Sequence, residues 1–466
     1  MATYSRLNAT PGLVSLRSNC LSFPEILAQS IALIAPTLTA ALNAPLVFGN
    51  AGNGTWLAFV IATVGLMFVG LNINVFARRS AAPGALYLYV ARGLGSTAGI
   101  ICGWALTLAY LALVVAEAGG FAHYFHIVLA DLGLEIPSIV LYAICIGISW
   151  YYAYTDIQLS TILMLVLELI SVGIIIVLAV LVLGHQGFAI DTAQLTLKDV
   201  TPGGISLGMV VAVLSFVGFE SAATLGAEAK SPTQFIPPSL LWSTGLCGLF
   251  FIFISYVEIL GFRGYSSPLN ESGNPLNVLA TLAGADVLGL ILGVGISMSC
   301  LGCMLASFNA GGRIIFALSR HSFYPASMGK VHAYNQTPHF AISMSAVVSF
   351  LLASSMALFN IRDLDIYGYL GTLCTYGFLT AYVLISIAAP VYMARCGQLR
   401  AHHIALSFLG VMFMLIPIAG SFFPVPAFPY NVFPYLFLLY LGAGGLLFVL
   451  LRNRSPKIIE SLERDL

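Results

Sequence analysis

Twelve long apolar runs dominate this chain and constrain its fold more than any other feature. The runs are residues 23–48, 56–77, 96–125, 137–154, 157–184, 204–228, 236–262, 286–310, 339–359, 366–393, 404–423 and 432–451. An α-helix needs about 20 apolar residues to cross the hydrocarbon core of a bilayer. The runs are continuously apolar rather than alternating, so they predict membrane-spanning helices and not the strands of a β-barrel.

Charged residues are too scarce to cover the surface of a soluble protein. Asp, Glu, Lys and Arg make up 8% of the 466 residues, whereas a typical soluble domain contains about 25%. The 18 basic residues balance the 18 acidic ones, so the net charge gives no indication of a nucleic-acid partner. The 8 cysteines are too few for a disulfide scaffold. Composition therefore predicts an all-α polytopic membrane protein whose surroundings are the lipid bilayer.

Basic residues are divided unequally between the two sides that twelve spans define. Cytoplasmic loops of membrane proteins carry an excess of Lys and Arg. Fifteen of the basic residues lie on one side, which is also the side of both termini. The other side has only Lys198, Arg263 and Arg362. The asymmetry predicts a multi-pass protein of the inner (cytoplasmic) membrane with both termini in the cytoplasm. It also supports the count of twelve, because a missed span would scramble it.

Two of the runs are interrupted near their midpoints. The first contains Pro36, and proline inside a helix removes a backbone hydrogen bond and clashes with the preceding turn. The sixth contains Gly218 followed closely by the intramembrane carboxylate of Glu220. Taken singly, these features are compatible with a simple kink and a packing glycine. Interrupted helices in corresponding positions of two halves, however, indicate the binding site of a transporter.

A helix break at the bilayer midplane exposes the ends of half-helices to a cavity. The N–H groups at a helix N-terminus attract an anion, and the carbonyl groups at a C-terminus attract a cation. A zwitterion suits such a site. We therefore expect a substrate carboxylate to meet the N–H groups and hydroxyls of Thr37, Leu38 and Thr39. We expect its ammonium group to meet carbonyl groups around Ile34, Phe216 and Phe219.

Several motifs resemble those of the amino acid–polyamine–organocation (APC) superfamily of permeases. Glu228-Ala229-Lys230-Ser231-Pro232 follows the sixth run, Pro83-Gly84-Ala85-Leu86-Tyr87-Leu88-Tyr89 precedes the third, and Asn309-Ala310-Gly311-Gly312-Arg313 ends the eighth. The resemblance extends over nearly the whole chain and in the right order. It implies a LeuT-type fold, in which five spans are followed by an inverted copy of five and by two further helices. It also implies secondary transport of amino acids or related amines.

The implied fold divides the chain into five parts. These are a cytoplasmic N-terminal tail (1–22), a first five-helix repeat (23–184), an inverted second repeat (204–394), helices 11 and 12 (395–452) and a cytoplasmic C-terminal tail (453–466). The substrate is expected at the two breaks, with Phe216 or Phe219 as a gate and with Tyr110, Ser297 and Tyr369 selecting its side chain. The other expected site residues are Ile34, Ala35, Pro36, Thr37, Leu38 and Thr39 in the first run and Val217, Gly218 and Glu220 in the sixth.

Glu168 is the expected coupling residue. Proton-coupled members that this chain resembles carry a lysine in the fifth span, where it stands in for a sodium ion. In this chain the surrounding pattern assigns Glu168 to that place, and a carboxylate can hold either a proton or a sodium ion. Proton-driven uptake is favoured over sodium coupling or exchange, and a structural hydrogen bond is the alternative role for Glu168.

Glu228 is the expected cytoplasmic gate residue. It ends the sixth run on the basic side of the membrane, where Arg78, Arg79 and Arg92 also lie. We expect Glu228 to pair with one of these three when the gate is closed. The alternative is a solvated loop charge that contributes about 0–1 kcal/mol.

The remaining polar residues within the runs are interpreted as structural. Glu117 and Glu258 lack a motif, and Glu220 either caps the second half of its helix or acts directly. His123 and His126 share a helix face, but no third ligand lies nearby in the sequence, so no metal site or cofactor is expected. Cys300 and Cys303 are interpreted as small packing residues.

Other function classes are less favoured. No nucleotide-binding motif is present, which excludes transport driven directly by ATP. A channel would need rings of charges or carbonyl groups along a pore, and two asymmetric breaks do not provide them. A membrane-embedded enzyme would need a nucleophile with a base, or a metal constellation. Only the weak grouping of His123, His126 and Glu117 offers one.

Overall fold

The computed structural model describes residues 15–80 and 82–454. Most of the predicted tails, residues 1–14 and 455–466, lies outside this range. Within it the chain is helical and has no β-strand, only two isolated β-bridges, which join Leu21 to Ala229 and Pro83 to Leu225. Eleven helical segments are long and apolar enough to cross a membrane. The predicted class, an all-α polytopic membrane protein, is confirmed.

The α-helices of the described residues follow one another along the chain with short connections. They are α1 (Phe23–Ile34), α2 (Pro36–Leu38), α3 (Ala44–Ala51), α4 (Thr55–Ala77), α5 (Ala85–Leu94), α6 (Ser96–Asp131), α7 (Ser138–Thr155), α8 (Ile157–His185), α9 (Thr192–Leu195), α10 (Pro202–Leu214), α11 (Pro232–Gly261), α12 (Pro275–Leu282), α13 (Asp286–Arg320), α14 (His339–Leu358), α15 (Asp363–Arg395), α16 (Ala401–Gly420) and α17 (Phe433–Arg454).

The eleven segments account for twelve runs because the first segment contains two of the runs. This first segment, Phe23–Ala77, is a single stretch of 55 residues. A straight helix of that size would be ~80 Å long, whereas the hydrocarbon core is about 30 Å thick. The segment turns through the 3-10 helix Gly52–Gly54, and the runs 23–48 and 56–77 lie on either side of this turn. The count of twelve and the inverted five-helix repeats stay predictions.

Both expected helix breaks are present. Helix α1 ends where Ala35 adopts a left-handed conformation, with φ 48° and ψ 64°, and Pro36 then begins α2. A π-helical turn, Thr39–Asn43, connects α2 to α3. In the sixth run α10 ends at Leu214, and Gly218 has φ 88° before the 3-10 helix Phe219–Thr224. The left-handed φ explains the glycine at this second break, because residues with a side chain rarely adopt it.

Burial separates central helices from peripheral ones. In the most apolar stretch of α6, 72% of the residues are buried inside the protein, and in α13 the share is 67%. The corresponding shares are only 17% in α16 and 22% in α17. Since lipid solvates apolar side chains, helices at the edge of the bundle can expose them. The two C-terminal helices therefore lie at the periphery, and α6 and α13 form the centre against which the broken helices pack.

Candidate functional site

The two helix breaks line a common cavity. Its volume is about 420 Å³. The first break contributes Leu33, Ile34, Ala35, Leu38 and Thr39, the sixth run contributes Leu214, Ser215 and Val217, and α15 contributes Tyr367, Thr372 and Thr375, among others. Of the residues expected at the site, Ile34, Ala35, Leu38, Thr39 and Val217 are thus in the cavity wall.

The cavity extends towards one side of the membrane. Its wall continues from the breaks to Leu46 at the end of the first run and to Gly420, Ser421, Pro426 and Tyr430, at the connection between α16 and α17. Leu46 is 52% exposed. The basic-residue asymmetry assigns this connection to the outer side, so the cavity faces outward in the predicted orientation.

The backbone of the first break leaves hydrogen-bonding groups available. The N–H of Ala35 donates to the carbonyl groups of Ile31 and Ala32, and the N–H of Thr39 donates to the carbonyl of Ala35. The first N–H groups of a helix have no partner within that helix. In α2 these are the N–H groups of Thr37 and Leu38, which are therefore available to a ligand. The buried hydroxyl of Thr37 also has no hydrogen-bond partner in the described part of the chain. These groups form the donor side of the break.

Hydrogen bonds join the first break to its neighbours. The Ser30 hydroxyl donates to the carbonyl of Phe219 over 2.6 Å. The thiol of Cys303 donates to the carbonyl of Leu33 over 3.3 Å. Helix α13 and the sixth run are therefore bonded to α1 within one or two turns of its C-terminal end.

Glu220 and Tyr110 support the second break from behind. The Tyr110 hydroxyl donates to one oxygen of Glu220 over 2.9 Å, and the Tyr382 hydroxyl donates to the other over 2.5 Å. Tyr382 also accepts a hydrogen bond of 2.9 Å from the N–H of Gly218. All of these groups are buried, and neither Glu220 nor Tyr110 lines the cavity. The expected direct contact of Glu220 and Tyr110 with substrate is replaced by a hydrogen-bonded support for the break.

Phe216 and Phe219 do not cover the cavity in this conformation. Phe216 packs against Phe251 with ring centroids 5.0 Å apart, and Phe219 packs against Tyr382 at 5.3 Å. Both phenylalanines have no exposed surface. The sequence predicts that their carbonyl groups face a substrate ammonium. In the structure the Phe216 carbonyl accepts a hydrogen bond from the Phe219 N–H, and the Phe219 carbonyl accepts one from the Ser30 hydroxyl. The sequence predicts aromatic rings beside the break but not the face on which they lie.

The two other residues expected to select the substrate side chain also lie outside the cavity wall. The Ser297 hydroxyl donates to the carbonyl of Gly293 on its own helix over 2.9 Å. Tyr369 packs against Tyr430 and Phe433 with ring centroids 5.6 and 5.5 Å apart. Tyr367, two residues earlier on α15, lines the cavity instead.

Glu168 lies behind the first break, at the interface of α8 and α13. Its side chain is 3% exposed, and one of its oxygens accepts a hydrogen bond of 2.7 Å from Ser299. The other oxygen has no partner among the residues that the structure describes. Leu169 and Ile170 are 65% and 54% exposed and face the surroundings. Glu168 therefore points into the bundle without reaching the cavity wall.

Glu228 pairs with Arg313, not with the arginines that the sequence suggests. Two nitrogens of Arg313 donate to the two carboxylate oxygens of Glu228 over 2.5 and 2.6 Å, and both side chains have no exposed surface. Arg78 and Arg79 are exposed, and Arg79 donates to the side chain of Gln398. Arg313 is the arginine that α13 carries into the core, and each buried charge of the pair compensates the other. The expected pairing with Arg78, Arg79 or Arg92 is corrected accordingly.

The segment before α1 crosses the same end of the bundle. The N–H groups of Cys20 and Leu21 donate to the carbonyl of Glu228 over 2.9 and 3.0 Å. Arg17 forms a 2.6 Å ion pair with Asp156. Together with the buried pair of Glu228 and Arg313, these contacts close the bundle on the predicted cytoplasmic side.

Sequence reasoning misses Glu117 as a cavity residue. Its side chain lines the cavity and is 2% exposed. The available signal is its position as a carboxylate in a membrane span, where polar residues are rare and commonly functional. The lack of an accompanying motif favours a structural interpretation in the sequence, whereas the structure places Glu117 in the cavity wall.

The histidine pair is not arranged as a metal site. His126 contacts Asp363 through one ring nitrogen at 3.1 Å and the carbonyl of Ile136 through the other at 2.8 Å. No group of three or more His, Cys, Asp or Glu side chains positioned to hold a metal ion occurs within residues 15–80 and 82–454. Cys300 and Cys303 are buried and free.

A bundle of apolar helices in which two broken helices meet at a closed-ended cavity is the architecture of a membrane transporter. The sequence model of the amino acid permease family matches residues 25–430, and the chain belongs to this family. The resemblance to the APC superfamily is thereby confirmed. The protein is a multi-pass membrane transporter and not an enzyme.

Three relatives indicate the range of the family. The branched-chain amino acid permease BcaP of Bacillus subtilis (strain 168) is 25% identical over 73% of this chain and 74% of its own length. The methylthioribose transporter of the same strain is 24% identical over 76% of each chain. The low-affinity putrescine importer PlaP of Escherichia coli (strain K12) is 24% identical over 65% of this chain and 69% of its own.

Proposed function

We propose that this protein is a secondary active transporter that moves amino acids or closely related amines across the inner membrane by alternating access. The observation that carries the proposal is the cavity at the two helix breaks, which extends to one side of the bundle while a buried ion pair closes the other. The names of BcaP and PlaP, an amino acid permease and an amine importer, support this substrate range. Both termini are cytoplasmic in this proposal, following the basic-residue asymmetry.

The substrate occupies the cavity between Ile34–Thr39 and Val217. Its carboxylate accepts hydrogen bonds from the N–H groups of Thr37 and Leu38, which have no partner within their helix. The hydroxyls of Thr37 and Thr39 contribute to the same side of the site. Gly218 keeps the second break open because its left-handed φ interrupts the sixth run.

The cavity and the buried pair together correspond to an outward-facing conformation. In the alternating-access cycle, the pair of Glu228 and Arg313 separates when the cavity closes on the outer side and opens on the inner side. The N-terminal segment, bonded to the Glu228 carbonyl through Cys20 and Leu21, moves away in the same step. The proposal therefore gives the gate role to the buried pair of Glu228 and Arg313.

Uptake is coupled to protons through Glu168. One oxygen of Glu168 has no partner in the described residues, and the other accepts from Ser299. An isolated carboxylate in apolar surroundings favours its neutral form, because ionisation away from solvent is costly. In each transport cycle Glu168 then takes up a proton from the outer side and releases it on the inner side, together with the substrate. The alternative modes are sodium coupling at the same carboxylate and exchange of amino acids or polyamines.

A thermal-shift screen of the purified protein with the twenty amino acids and common polyamines tests the proposal. A ligand that binds only the folded state raises its stability, by about 2.7 kcal/mol at a concentration 100 times Kd. We expect one or more amino acids or amines to raise Tm and to accumulate in proteoliposomes under an imposed pH gradient. If no compound of either class binds or is transported, the proposed function is wrong.

A further inference from the structure

The cavity wall contains one carboxylate, that of Glu117, with an oxygen that no described residue hydrogen-bonds. Glu117, in the middle of α6, is 2% exposed. The thiols of Cys300 and Cys303 lie beside its carboxyl group. Its second oxygen, Oε2, has no hydrogen-bond partner among the described residues. Buried polar atoms in proteins are nearly always paired, so this oxygen indicates a partner that the protein itself does not supply.

Glu117 lies close to the first break. Cys303, beside its carboxyl group, donates to the carbonyl of Leu33 at the end of α1. One turn further along α6, a Cβ atom built on Gly120 would lie 3.4 Å from the sulfur of Cys300 and 3.7 Å from Leu38. The carboxylate therefore adjoins the C-terminal end of α1, where the helix dipole also favours a cation.

Glu117 is also the single charged residue among the described residues of the cavity wall, which contains no Lys, Arg, Asp or His. The remaining wall is uncharged and its surface is mainly apolar, with aliphatic side chains that include Leu33, Ile34, Leu113 and Val211. A ligand that fits this wall carries one positive group opposite the carboxylate and an apolar body.

We propose that Glu117 binds the ammonium group of the substrate, and that the substrate is an amino acid with an uncharged, apolar side chain. The inference rests on the proposed function and narrows it. A diamine would carry a second ammonium group into a wall that has no second carboxylate among its described residues. Burying an unpaired charge is costly, so diamines bind more weakly than apolar amino acids.

The first test uses the unmodified protein and four probes of similar size. L-leucine has both charged groups, 3-methylbutylamine lacks the carboxylate, 4-methylpentanoic acid lacks the ammonium group, and putrescine has two ammonium groups. Isothermal titration gives Kd for each. We expect L-leucine to bind, 3-methylbutylamine to bind more weakly, and 4-methylpentanoic acid and putrescine to bind at least about 10-fold more weakly than L-leucine, the effect of one lost charged hydrogen bond. Equal binding of 4-methylpentanoic acid, or tighter binding of putrescine, would overturn the inference.

The second test compares two buried carboxylates. Glu117→Gln removes the charge in the cavity wall and keeps the shape. Glu258→Gln is the matched control, because Glu258 is also completely buried in a membrane helix but does not line the cavity. We expect Glu117→Gln to raise the Kd of L-leucine about 10- to 100-fold and Glu258→Gln to leave it unchanged. Glu117→Asp should recover part of the affinity.

The outcomes separate this inference from the proposed function. If Glu117→Gln binds L-leucine as the wild type does but no longer accumulates it under a pH gradient, Glu117 is a proton site and the inference is wrong. If the wild type binds only amines, the transporter proposal stands and the inference falls. If it binds no amino acid and no amine, the proposed function itself fails. The probe series on the unmodified protein remains decisive if a variant does not fold.

Discussion

Arg313 and Glu228 form a bidentate ion pair in which neither side chain has exposed surface, and the Nε–Oε2 and Nη2–Oε1 distances are 2.5 and 2.6 Å. A third guanidinium nitrogen donates to the carbonyl of Asn309 over 2.7 Å. Removing one partner of a buried pair leaves an uncompensated charge, which costs about 3–5 kcal/mol. The closed end of the bundle, on the predicted cytoplasmic side, therefore depends strongly on both residues being present.

The first prediction concerns this pair. Glu228→Gln should lower the free energy of unfolding by about 3–5 kcal/mol and shift the protein towards the inward-facing conformation. The shift is measured as faster labelling of cysteines introduced in the inner vestibule. Arg79→Gln is the control, because Arg79 is exposed and should tolerate the change. Equal labelling of wild type and Glu228→Gln would contradict the gate assignment.

The second prediction concerns the first break. Pro36→Ala restores an N–H group and should let the helix close across Ala35, so substrate affinity falls while membrane insertion persists. Pro390→Ala is the matched control, since Pro390 also lies inside a membrane helix, α15, but does not line the cavity. This variant should keep its affinity. Titration of a substrate identified in the thermal-shift screen measures both, and normal affinity in Pro36→Ala would exclude the break as a binding element.

The third prediction concerns coupling. Glu168→Gln mimics the protonated carboxyl group and can still accept the Ser299 hydrogen bond. The variant should bind and exchange substrate but lose accumulation driven by a pH gradient. Labelled-substrate uptake in sodium-free proteoliposomes, with and without the gradient, is the measurement. Accumulation equal to wild type, or a wild type that requires sodium, would rule out Glu168 as the proton carrier.

The fourth prediction concerns Asp191, in the loop after α8. Burial alone would raise its pKa, but hydrogen bonds from Gln194 and Arg263 outweigh burial and lower the pKa below its ordinary value. A lowered pKa in the folded state means that ionised Asp191 stabilises the fold above the ordinary carboxyl pKa, about 3.9. That stabilisation is lost as pH falls through the lowered pKa.

Asp191→Asn should therefore be less stable than wild type at neutral pH, by about 1 kcal/mol. The difference should shrink as pH falls below about 3.9 and disappear once pH is below the lowered pKa of folded Asp191. Thermal unfolding of both proteins across this pH range measures it. Asp199→Asn, in the same loop, is the control and should behave as wild type at every pH. A difference that persists unchanged into acid would contradict the role of the ionised form.

The features predicted correctly from the sequence are those that depend on local patterns. Apolar runs of about 20 residues identify membrane helices without reference to tertiary structure. Pro36 and Gly218 carry their conformational consequences in their own covalent chemistry. The class of the protein and the positions of both breaks could therefore be read directly.

The features that could not be predicted depend on which face of a helix meets which neighbour. Glu228 and Arg313 are far apart in sequence, and the choice of Arg313 over Arg78 follows from burial that no local pattern encodes. Phe216 and Phe219 flank Gly218 but turn away from the cavity, because the backbone changes direction there. Glu117 escapes prediction for the same reason, since its span is apolar around most of its circumference and gives no sign of the face towards the cavity.

Tyr382 has a consequence for how the helices can move. Its single phenol oxygen accepts from the Gly218 backbone and donates to Glu220, so α15 holds both sides of the second break at one point. The break cannot tilt or rewind relative to α15 without breaking both hydrogen bonds, whose side chains Tyr382 and Glu220 are completely buried. Helix α15 is therefore tied to the second break at this point, and a movement of the break relative to α15 costs both of these hydrogen bonds.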